Sequence, residues 1–257
     1  MPICSVAGGV DLFYTDTGAG PPVLLLHGWT CDGNDWAWLS ADLCADHRVV
    51  NMDHRGHGRS SEVDGPYGAK PLAEDAARLL RHLGIEQAVV VGHSMGALVA
   101  SVLAIEHPSL VRALVLIDPA YGHADDHLQE LVAAVRAEPV GTAIAVFKTF
   151  YGSGSPAWLQ EWHARRIAGT PPHVLAEALA ALFEGPDAIG RAAVGADYLA
   201  RRACPTLAIY AGPGDLTLPG GSADTIEVWP EAGHFLHQEQ PDRFALRMRS
   251  WIASLGA

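Results

Sequence analysis

The segment VVVGHSMGALVAS, residues 89–101, decides the architecture of this protein. It consists of an apolar run, a Gly-X-Ser-X-Gly turn centred on Ser94, and the start of a helical pattern. So tight a turn needs glycine at positions 92 and 96 for clearance, and it forces the serine hydroxyl outward. Because Ser94 stands at a helix N-terminus, the helix dipole and the Met95 amide face any negative charge that forms there. The segment therefore predicts a nucleophilic serine between a buried strand and a helix.

Strand and helix patterns alternate on both sides of this segment. Short apolar runs are typical of parallel strands that are buried on both faces. They are VDLFYTDT (10–17), VLLLHG (23–28), RVVNMD (48–53), AVVVGH (88–93), RALVLID (112–118), PTLAIYAG (205–212) and TIEVW (225–229). Helical periodicity occurs in DWAWLSADLCADH (35–47), PLAEDAARLLRHLG (71–84), MGALVASVLAIEH (95–107) and QPDRFALRMRSWIASL (240–255). This order predicts an α/β fold with a mostly parallel, doubly wound sheet.

Residues 121–203 break the alternation. Their short helical patterns begin at prolines and are separated by glycines, without a convincing strand. We predict that they form an α-helical cap, or lid, inserted into a core made of residues 1–120 and 204–257. Most aromatic side chains of the cap are expected to form its own core, and a few are expected to face a substrate.

Composition excludes several classes of partner. The chain has 257 residues, of which 49% are hydrophobic, so it can bury a full core as one domain plus an insertion. Its 17 basic and 29 acidic residues give a net charge of −12 without a basic run, which argues against nucleic-acid and anionic-membrane partners. A leader pattern and a spanning apolar stretch are missing, so we expect no export. The four scattered cysteines fit reduced thiols in a cytoplasm.

The second donor of an oxyanion hole is expected in the loop after VLLLHG. The amide of Trp29, in HGW (27–29), has the right place to act beside the Met95 amide. Aromatic residues from this loop and from the cap are the candidate pocket walls. They are Trp29, Trp36, Phe147, Tyr151 and Trp158.

Four motifs together give the chain a family resemblance. They are HGW (27–29), MDHRGHGRS (52–60), GHSMG (92–96) and AGHFLHQEQPDRF (232–244). With them the chain resembles the α/β-hydrolase fold superfamily, of the type with a helical cap. The resemblance implies that Asp53, His54 and His57 belong to a structural turn, not to a metal site, and that neither a metal nor an organic cofactor is needed.

The base is predicted from the chain order of this fold, in which the histidine follows the serine and the acid. A serine at neutral pH needs a positioned imidazole to become a nucleophile. His234, between the final strand and the final helix, has that place. His237 is the weaker alternative and is expected to pack at the helix entrance.

Two aspartates compete for the role of the triad acid. Asp215 follows the strand PTLAIYAG, where the superfamily usually keeps the acid, and it is our first choice. The connection after it, GPGDLTLPGGSA, departs from the family pattern, because its glycines and prolines leave no room for the usual helix. Asp118, at the end of RALVLID, is the alternative acid, at a position that some members of the fold use.

We therefore expect a serine hydrolase that cleaves a small neutral or hydrophobic ester or lactone through an acyl enzyme on Ser94. A carbon–carbon bond hydrolase and a cofactor-free perhydrolase or haloperoxidase share the same triad and stay open. A ligand receptor on the same fold is the alternative outside enzymes. A dehalogenase or an epoxide hydrolase is disfavoured, because it would carry aspartate at position 94. An apolar strip left uncovered near residues 213–223 predicts a homodimer interface.

Overall fold

The strands of the protein form one mixed sheet in a computed structural model that describes residues 2–6, 8–123, 127–212 and 224–256. The strands are β1 (Ile3–Val6), β2 (Val10–Thr17), β3 (Pro22–Leu26), β4 (Arg48–Met52), β5 (Ala88–His93), β6 (Val111–Ile117), β7 (Thr206–Ala211) and β8 (Asp224–Trp229). Their order in the sheet is β1-β2-β4-β3-β5-β6-β7-β8. The pairs β1–β2 and β2–β4 are antiparallel, whereas the remaining pairs are parallel. The predicted fold class is confirmed.

Helices cover both faces of the sheet. They are α1 (Ala37–Leu43), α2 (Ala69–His82), α3 (Met95–Glu106), α4 (Leu128–Ala137), α5 (Pro139–Lys148), α6 (Ala157–Gly169), α7 (Pro172–Phe183), α8 (Ala192–Leu199), α9 (Leu236–Glu239) and α10 (Pro241–Ser254). The stretch α4–α8, residues 128–199, lies in sequence between β6 and β7 and is called the helical insert below. None of the described helices combines the length and the apolar character that a bilayer crossing requires.

The strand β3 shows how the core divides into two layers. Its successive side chains point to opposite faces of the sheet, as the pleat requires. Leu24 and Leu26 pack with α2, α3 and the insert, whereas Val23 and Leu25 pack with α1 and α10. All four are fully buried, and each such burial contributes roughly 1.5–3 kcal/mol to folding. Because both faces of β3 are buried, every residue of this strand has to be apolar, and its sequence is a continuous apolar run.

Parallel pairing brings the ends of the key strands to one edge of the sheet. Leu26 pairs with Gly92, and Gly92 pairs with Leu116. The turns that follow β3, β5 and β6 therefore lie side by side. Residues 213–223, which contain Asp215 and the apolar strip expected at a dimer interface, lie outside the described residues.

Candidate active site

The turn that carries Ser94 is held by close backbone contacts. Ser94 has a φ of 53°, in the left-handed region that a non-glycine residue rarely adopts. A Cβ atom at Gly92 would lie 2.3 Å from the carbonyl oxygen of Gly96, and one at Gly96 would lie 2.2 Å from that of Leu26. Only glycine fits at these two positions, since neither neighbour is a side chain that can move aside. The Ser94 amide donates to Ile117 at 2.9 Å, which ties the turn to β6.

The HGW loop lies directly against this turn. A Cβ atom at Gly28 would lie 3.3 Å from Ser94 Cβ and 3.0 Å from His93 Nδ1. The Trp29 amide makes no backbone hydrogen bond within the described residues, while its indole Nε1–H donates to Leu175 of the insert at 3.0 Å. The loop thus brings a free amide close to the serine, and the insert holds the indole beside it.

Asp118 and His234 are in direct contact. His234 Nδ1 lies 2.5 Å from Asp118 Oδ2, and Asp118 Oδ1 accepts a hydrogen bond from the Ala211 amide at 2.9 Å. Asp118 follows β6 with a φ of 39°, and its own amide donates to Ile209 at 2.8 Å. Because the carboxylate accepts a hydrogen bond from Nδ1–H, the neutral His234 ring has its lone pair on Nε2. Asp118 is thus the acid that contacts His234 within the described residues, and Asp215 lies outside them.

Contacts from distant parts of the chain hold the loop that carries His234. The His234 amide donates to Phe150 of the insert at 2.8 Å, and the His234 ring lies 4.5 Å from the Phe150 ring. His93 Nε2–H donates to the His234 carbonyl at 3.0 Å. Glu239 accepts from the Gly233 amide at 2.7 Å and from the Ser155 hydroxyl at 2.5 Å. The insert is therefore bonded to the loop on both sides of the imidazole.

Sequence reasoning missed these supporting residues. His93 and Glu239 lie inside two of the motifs that identified the fold, and that position is the one signal that pointed to them. Phe150 lies in the insert and contributes its main-chain carbonyl, which any residue type has. No sequence pattern predicts that contact.

A cavity of about 990 Å³ lies between the sheet edge and the insert. Ser94, Asp118 and His234 open onto it, and most of the other lining atoms are apolar. No lysine, arginine or glutamate is among the described residues that line it. A neutral, largely apolar molecule suits such walls, because the carboxylate among these described lining residues, that of Asp118, is already paired with His234 and leaves a buried charge without a partner.

The structure divides the five predicted pocket aromatics into two groups. Trp29, Phe147 and Tyr151 line the cavity. Trp36 and Trp158 lie away from it, so these two assignments are wrong. Trp36 is fully buried on the other face of the sheet, where it packs 4.6 Å from the His237 ring. Trp158 is 42% exposed on the outer surface of α6, 5.1 Å from the Trp38 ring.

His27 and the two histidines of the MDHRGHGRS turn, His54 and His57, are buried together. His27 Nδ1–H donates to Gly28 at 2.8 Å, and His27 Nε2 accepts the His54 amide at 3.0 Å. Burial lowers the pKa of His54 to about 3 and that of His57 to about 4. Asp53 accepts the amides of Gly33 at 2.6 Å and Arg59 at 2.9 Å. The carboxylate therefore closes the turn between two loops.

Known proteins share this sequence pattern and fold. Residues 21–201 match the sequence model of the alpha/beta hydrolase fold family. A non-heme haloperoxidase of Rhodococcus erythropolis is 34% identical over 152 residues, which are 58% of this chain and 53% of that protein. A putative carbamate hydrolase, RutD, of Azorhizobium caulinodans is 32% identical over 177 residues, which are 69% of this chain and 61% of that protein. The chain thus spans less than two thirds of either relative.

A solved structure extends the likeness over the whole chain. An esterase from Thermogutta terrifontis superposes with a TM-score of 0.83 at 27% identity, covering 98% of this chain and 97% of the esterase. The agreement includes the insert, because the coverage leaves almost no residue of either chain unmatched.

Proposed function

The chain belongs to the α/β-hydrolase fold family, and from this premise we propose that it is a serine hydrolase for neutral, largely apolar carboxylic esters or lactones. The observation that carries the proposal is the 2.5 Å contact between His234 and Asp118 at the cavity onto which Ser94 opens. An oriented imidazole beside a serine at a helix N-terminus is the arrangement that acyl transfer requires.

We assign the role of triad acid to Asp118. Its Oδ2 accepts a hydrogen bond from His234 Nδ1–H while its Oδ1 accepts one from the Ala211 amide, so the carboxylate cannot rotate away. Such an acid keeps the imidazole in the tautomer that accepts a proton at Nε2, and it stabilises the imidazolium that forms. Asp215, the usual position in the family, is the alternative.

The reaction has two halves with the same proton carrier. Ser94 Oγ attacks the ester carbonyl carbon while His234 Nε2 takes the hydroxyl proton. The amides of Trp29 and Met95 donate to the oxyanion, and the alcohol leaves with the proton from His234. Water then attacks the acyl enzyme, gives its proton to His234, and releases the acid and the Ser94 hydroxyl. For a lactone, alcohol and acid remain one molecule.

The walls of the cavity support the substrate class. A volume of about 990 Å³ admits a molecule of moderate size, and the aromatic rings of Phe147 and Tyr151 offer apolar contact on the side of the insert. We propose that the helical insert acts as the cap of the site. It covers the cavity, and through Phe150 it also holds the loop of His234.

A perhydrolase or haloperoxidase activity is the second candidate. The 34% identity to the non-heme haloperoxidase favours it. In that reaction hydrogen peroxide replaces water in the second half, so the acyl enzyme on Ser94 yields a peracid. A carbon–carbon bond hydrolase would use the same residues and is the third outcome to screen.

A fluorophosphonate probe and substrate panels test the proposal together. We expect the probe to label the wild type on Ser94 and to leave Ser94→Ala unlabelled. Turnover of p-nitrophenyl esters or lactones should fall by roughly 10⁴- to 10⁶-fold in the variant. Added peroxide and acetate separate the peracid reaction from hydrolysis.

Two results would contradict the proposal. Labelling or turnover that survives in Ser94→Ala removes the serine mechanism. Negligible turnover of every panel by the wild type, together with tight binding of a panel compound, indicates a receptor instead.

A further inference from the structure

Three buried side chains outside the proposed mechanism lie together behind the cavity. They are Cys31, Asp35 and His163, which are 2%, 3% and 1% exposed. One ligand atom of each, a sulfur, an oxygen and a nitrogen, lies within 4.8 Å of the other two. Thiolate, carboxylate and imidazole are the donors that bind Zn²⁺ in proteins. We propose that Cys31, Asp35 and His163 form a binding site for Zn²⁺ or a similar divalent cation.

The carboxylate of Asp35 has one oxygen fixed and one open. Its Oδ1 accepts from Trp162 Nε1–H at 3.0 Å and from the Arg166 guanidinium at 2.7 Å. Its Oδ2 is buried and accepts no hydrogen bond from a nitrogen or oxygen donor of the described residues, and the Cys31 thiol, a weak donor, interacts with the same carboxylate. A buried carboxylate oxygen without a strong donor costs free energy, which a cation would recover. Outer hydrogen bonds of this kind are what orient carboxylate ligands at metal sites.

His163 offers one ring nitrogen in the required state. Its Nε2 lies 3.1 Å from Gln238 Oε1, and its Nδ1 lies 3.0 Å from the Tyr151 hydroxyl. Because Oε1 only accepts hydrogen bonds, Nε2 carries the proton and Nδ1 has the lone pair. A cation would take Nδ1 in place of the Tyr151 hydroxyl, and Gln238 would go on holding the ring from behind.

The charges of the group are compatible with a divalent cation. Arg166 is shared between Asp35 and Asp32, so these two carboxylates and the one guanidinium leave a net charge of about −1 while Cys31 is a thiol, which favours a cation. Binding replaces the thiol proton of Cys31, which leaves to solvent, and the thiolate then faces the cation. Three protein ligands leave the fourth position of a tetrahedral site to a water molecule.

A second cleft gives the cation an access route. It has a volume of about 410 Å³, and its walls include Cys31, Asp32, Trp162 and Arg166. The main cavity reaches the same Cys31 from the other side. Asp32 places a carboxylate in the cleft on the way to the ligands.

Such a site would join two parts of the molecule. Cys31 and Asp35 come from the loop after β3 that also carries Trp29, while His163 comes from α6 of the insert. A bound cation would therefore fasten the insert to the oxyanion-hole loop. The proposal does not depend on the ester chemistry, since it concerns binding and stability.

Cobalt is the probe that reports the ligands directly. We expect the chelator-treated full chain to bind one Co²⁺ with tetrahedral ligand-field bands and a thiolate-to-cobalt charge-transfer band. Zn²⁺ should displace the Co²⁺ and raise the melting temperature. Cys31→Ser should lose the charge-transfer band, and His163→Gln should lose saturable binding. Cys44→Ser, at a cysteine outside the group, is the control and should behave like the wild type.

Tyr151→Phe separates a binding defect from a folding defect. This variant removes the hydroxyl that competes for His163 Nδ1, so Co²⁺ and Zn²⁺ should bind more tightly than to the wild type. A disturbed fold would instead weaken binding. The proposal is overturned if the wild type shows no saturable cobalt spectrum, if the charge-transfer band persists in Cys31→Ser, or if Tyr151→Phe binds more weakly.

Discussion

The two loops that meet at the cavity are held in different ways. The serine turn is fixed by short-range geometry, since Gly92 meets Gly96 across a single turn and Gly96 meets the neighbouring strand at Leu26. The histidine loop depends on residues far along the chain. His234 contacts Phe150 and Asp118, which lie more than 80 residues before it.

This difference predicts which amino-acid substitutions each loop tolerates. In the serine turn, backbone atoms pack directly against backbone atoms. An added methyl group would therefore overlap with atoms that cannot move aside. The histidine loop has hydrogen bonds to separate partners, so the loss of one leaves the others in place. Substitutions in the serine turn should act by steric overlap with the backbone. Substitutions in the histidine loop should act by changing the orientation of the imidazole or the charge beside it.

Apart from loss of Ser94 itself, the largest effect is expected at the acid, whose carboxylate both orients the imidazole and supplies its counter-charge. Asp118→Asn should lower kcat/KM by about 10⁴-fold, because an amide can hold the imidazole in the wrong tautomer. Asp215→Asn is the matched variant and should leave kcat/KM close to the wild-type value. The reverse result, a large loss in Asp215→Asn alone, would return the acid to residue 215. Steady-state kinetics on one ester or lactone measures both.

The serine turn should respond to a single methyl group. In Gly96→Ala the new Cβ would lie 2.2 Å from the Leu26 carbonyl oxygen, so strand and turn must move apart. Displacement of Ser94 by even 1 Å costs on the order of 10²-fold in rate, and overpacking costs roughly 1–3 kcal/mol of stability.

Gly154→Ala provides the control for this test, since no heavy atom lies within 4 Å of the added Cβ. Kinetics and urea unfolding of both variants check the expectation. Wild-type rates in Gly96→Ala would show that steric clearance at position 96 does not control the position of Ser94.

The histidine loop should respond more mildly to the loss of one support. In Glu239→Gln only Oε1 can accept, so if it accepts from the Gly233 amide, Nε2 must donate to Ser155 Oγ, and the hydroxyl proton of Ser155 loses its carboxylate acceptor. We expect kcat to fall about tenfold, equivalent to about 1.4 kcal/mol, with little change in KM.

Glu231→Gln tests whether the effect belongs to the Glu239 contacts. Glu231 lies in the same loop but is exposed and pairs with Arg243 on the surface. Equal losses in both variants would assign the effect to the net charge of the loop.

The remaining effect concerns stability behind the histidine loop and leaves the rate at neutral pH unchanged. His237 packs against Trp36 and His93, and burial lowers its pKa to about 3. Since the unfolded chain takes up the proton near pH 6.5, this site loses stability as the pH falls from about 6.5 towards 3. The loss reaches about 2 kcal/mol at pH 5.

His237→Leu removes that contribution. Between pH 7.5 and pH 5 the variant should therefore lose about 2 kcal/mol less unfolding free energy than the wild type. Denaturant titrations at the two pH values measure the difference, with the exposed His82→Gln as the control. An unchanged pH dependence in His237→Leu would show that His237 is not a source of acid sensitivity.

Local patterns predicted the sheet, the serine turn and the position of His234 in the chain. Apolar runs such as VLLLHG report burial on both faces directly, because every residue of the run must be apolar. The glycines of GHSMG report a close approach, because only glycine fits there. Each of these signals lies within a few residues of the structure that it predicts.

Contacts between distant segments gave no such signal. Trp36 and Trp158 have the same residue type as Trp29, and only packing separates a cavity wall from a buried or an exposed ring. Cys31 and His163 lie 132 residues apart, and no spacing rule links them.

The sequence by itself thus determined the fold class, the serine turn and the order of serine and histidine, since these depend on periodicity and on backbone clearance. Only the tertiary structure decided that Asp118 contacts His234, which aromatics line the cavity, and which buried thiol, carboxylate and imidazole converge. Those outcomes depend on how β6, the insert and the final loop pack together. Each such contact joins residues that are far apart in the sequence, so its free energy depends on the packing of the whole chain and not on a local pattern.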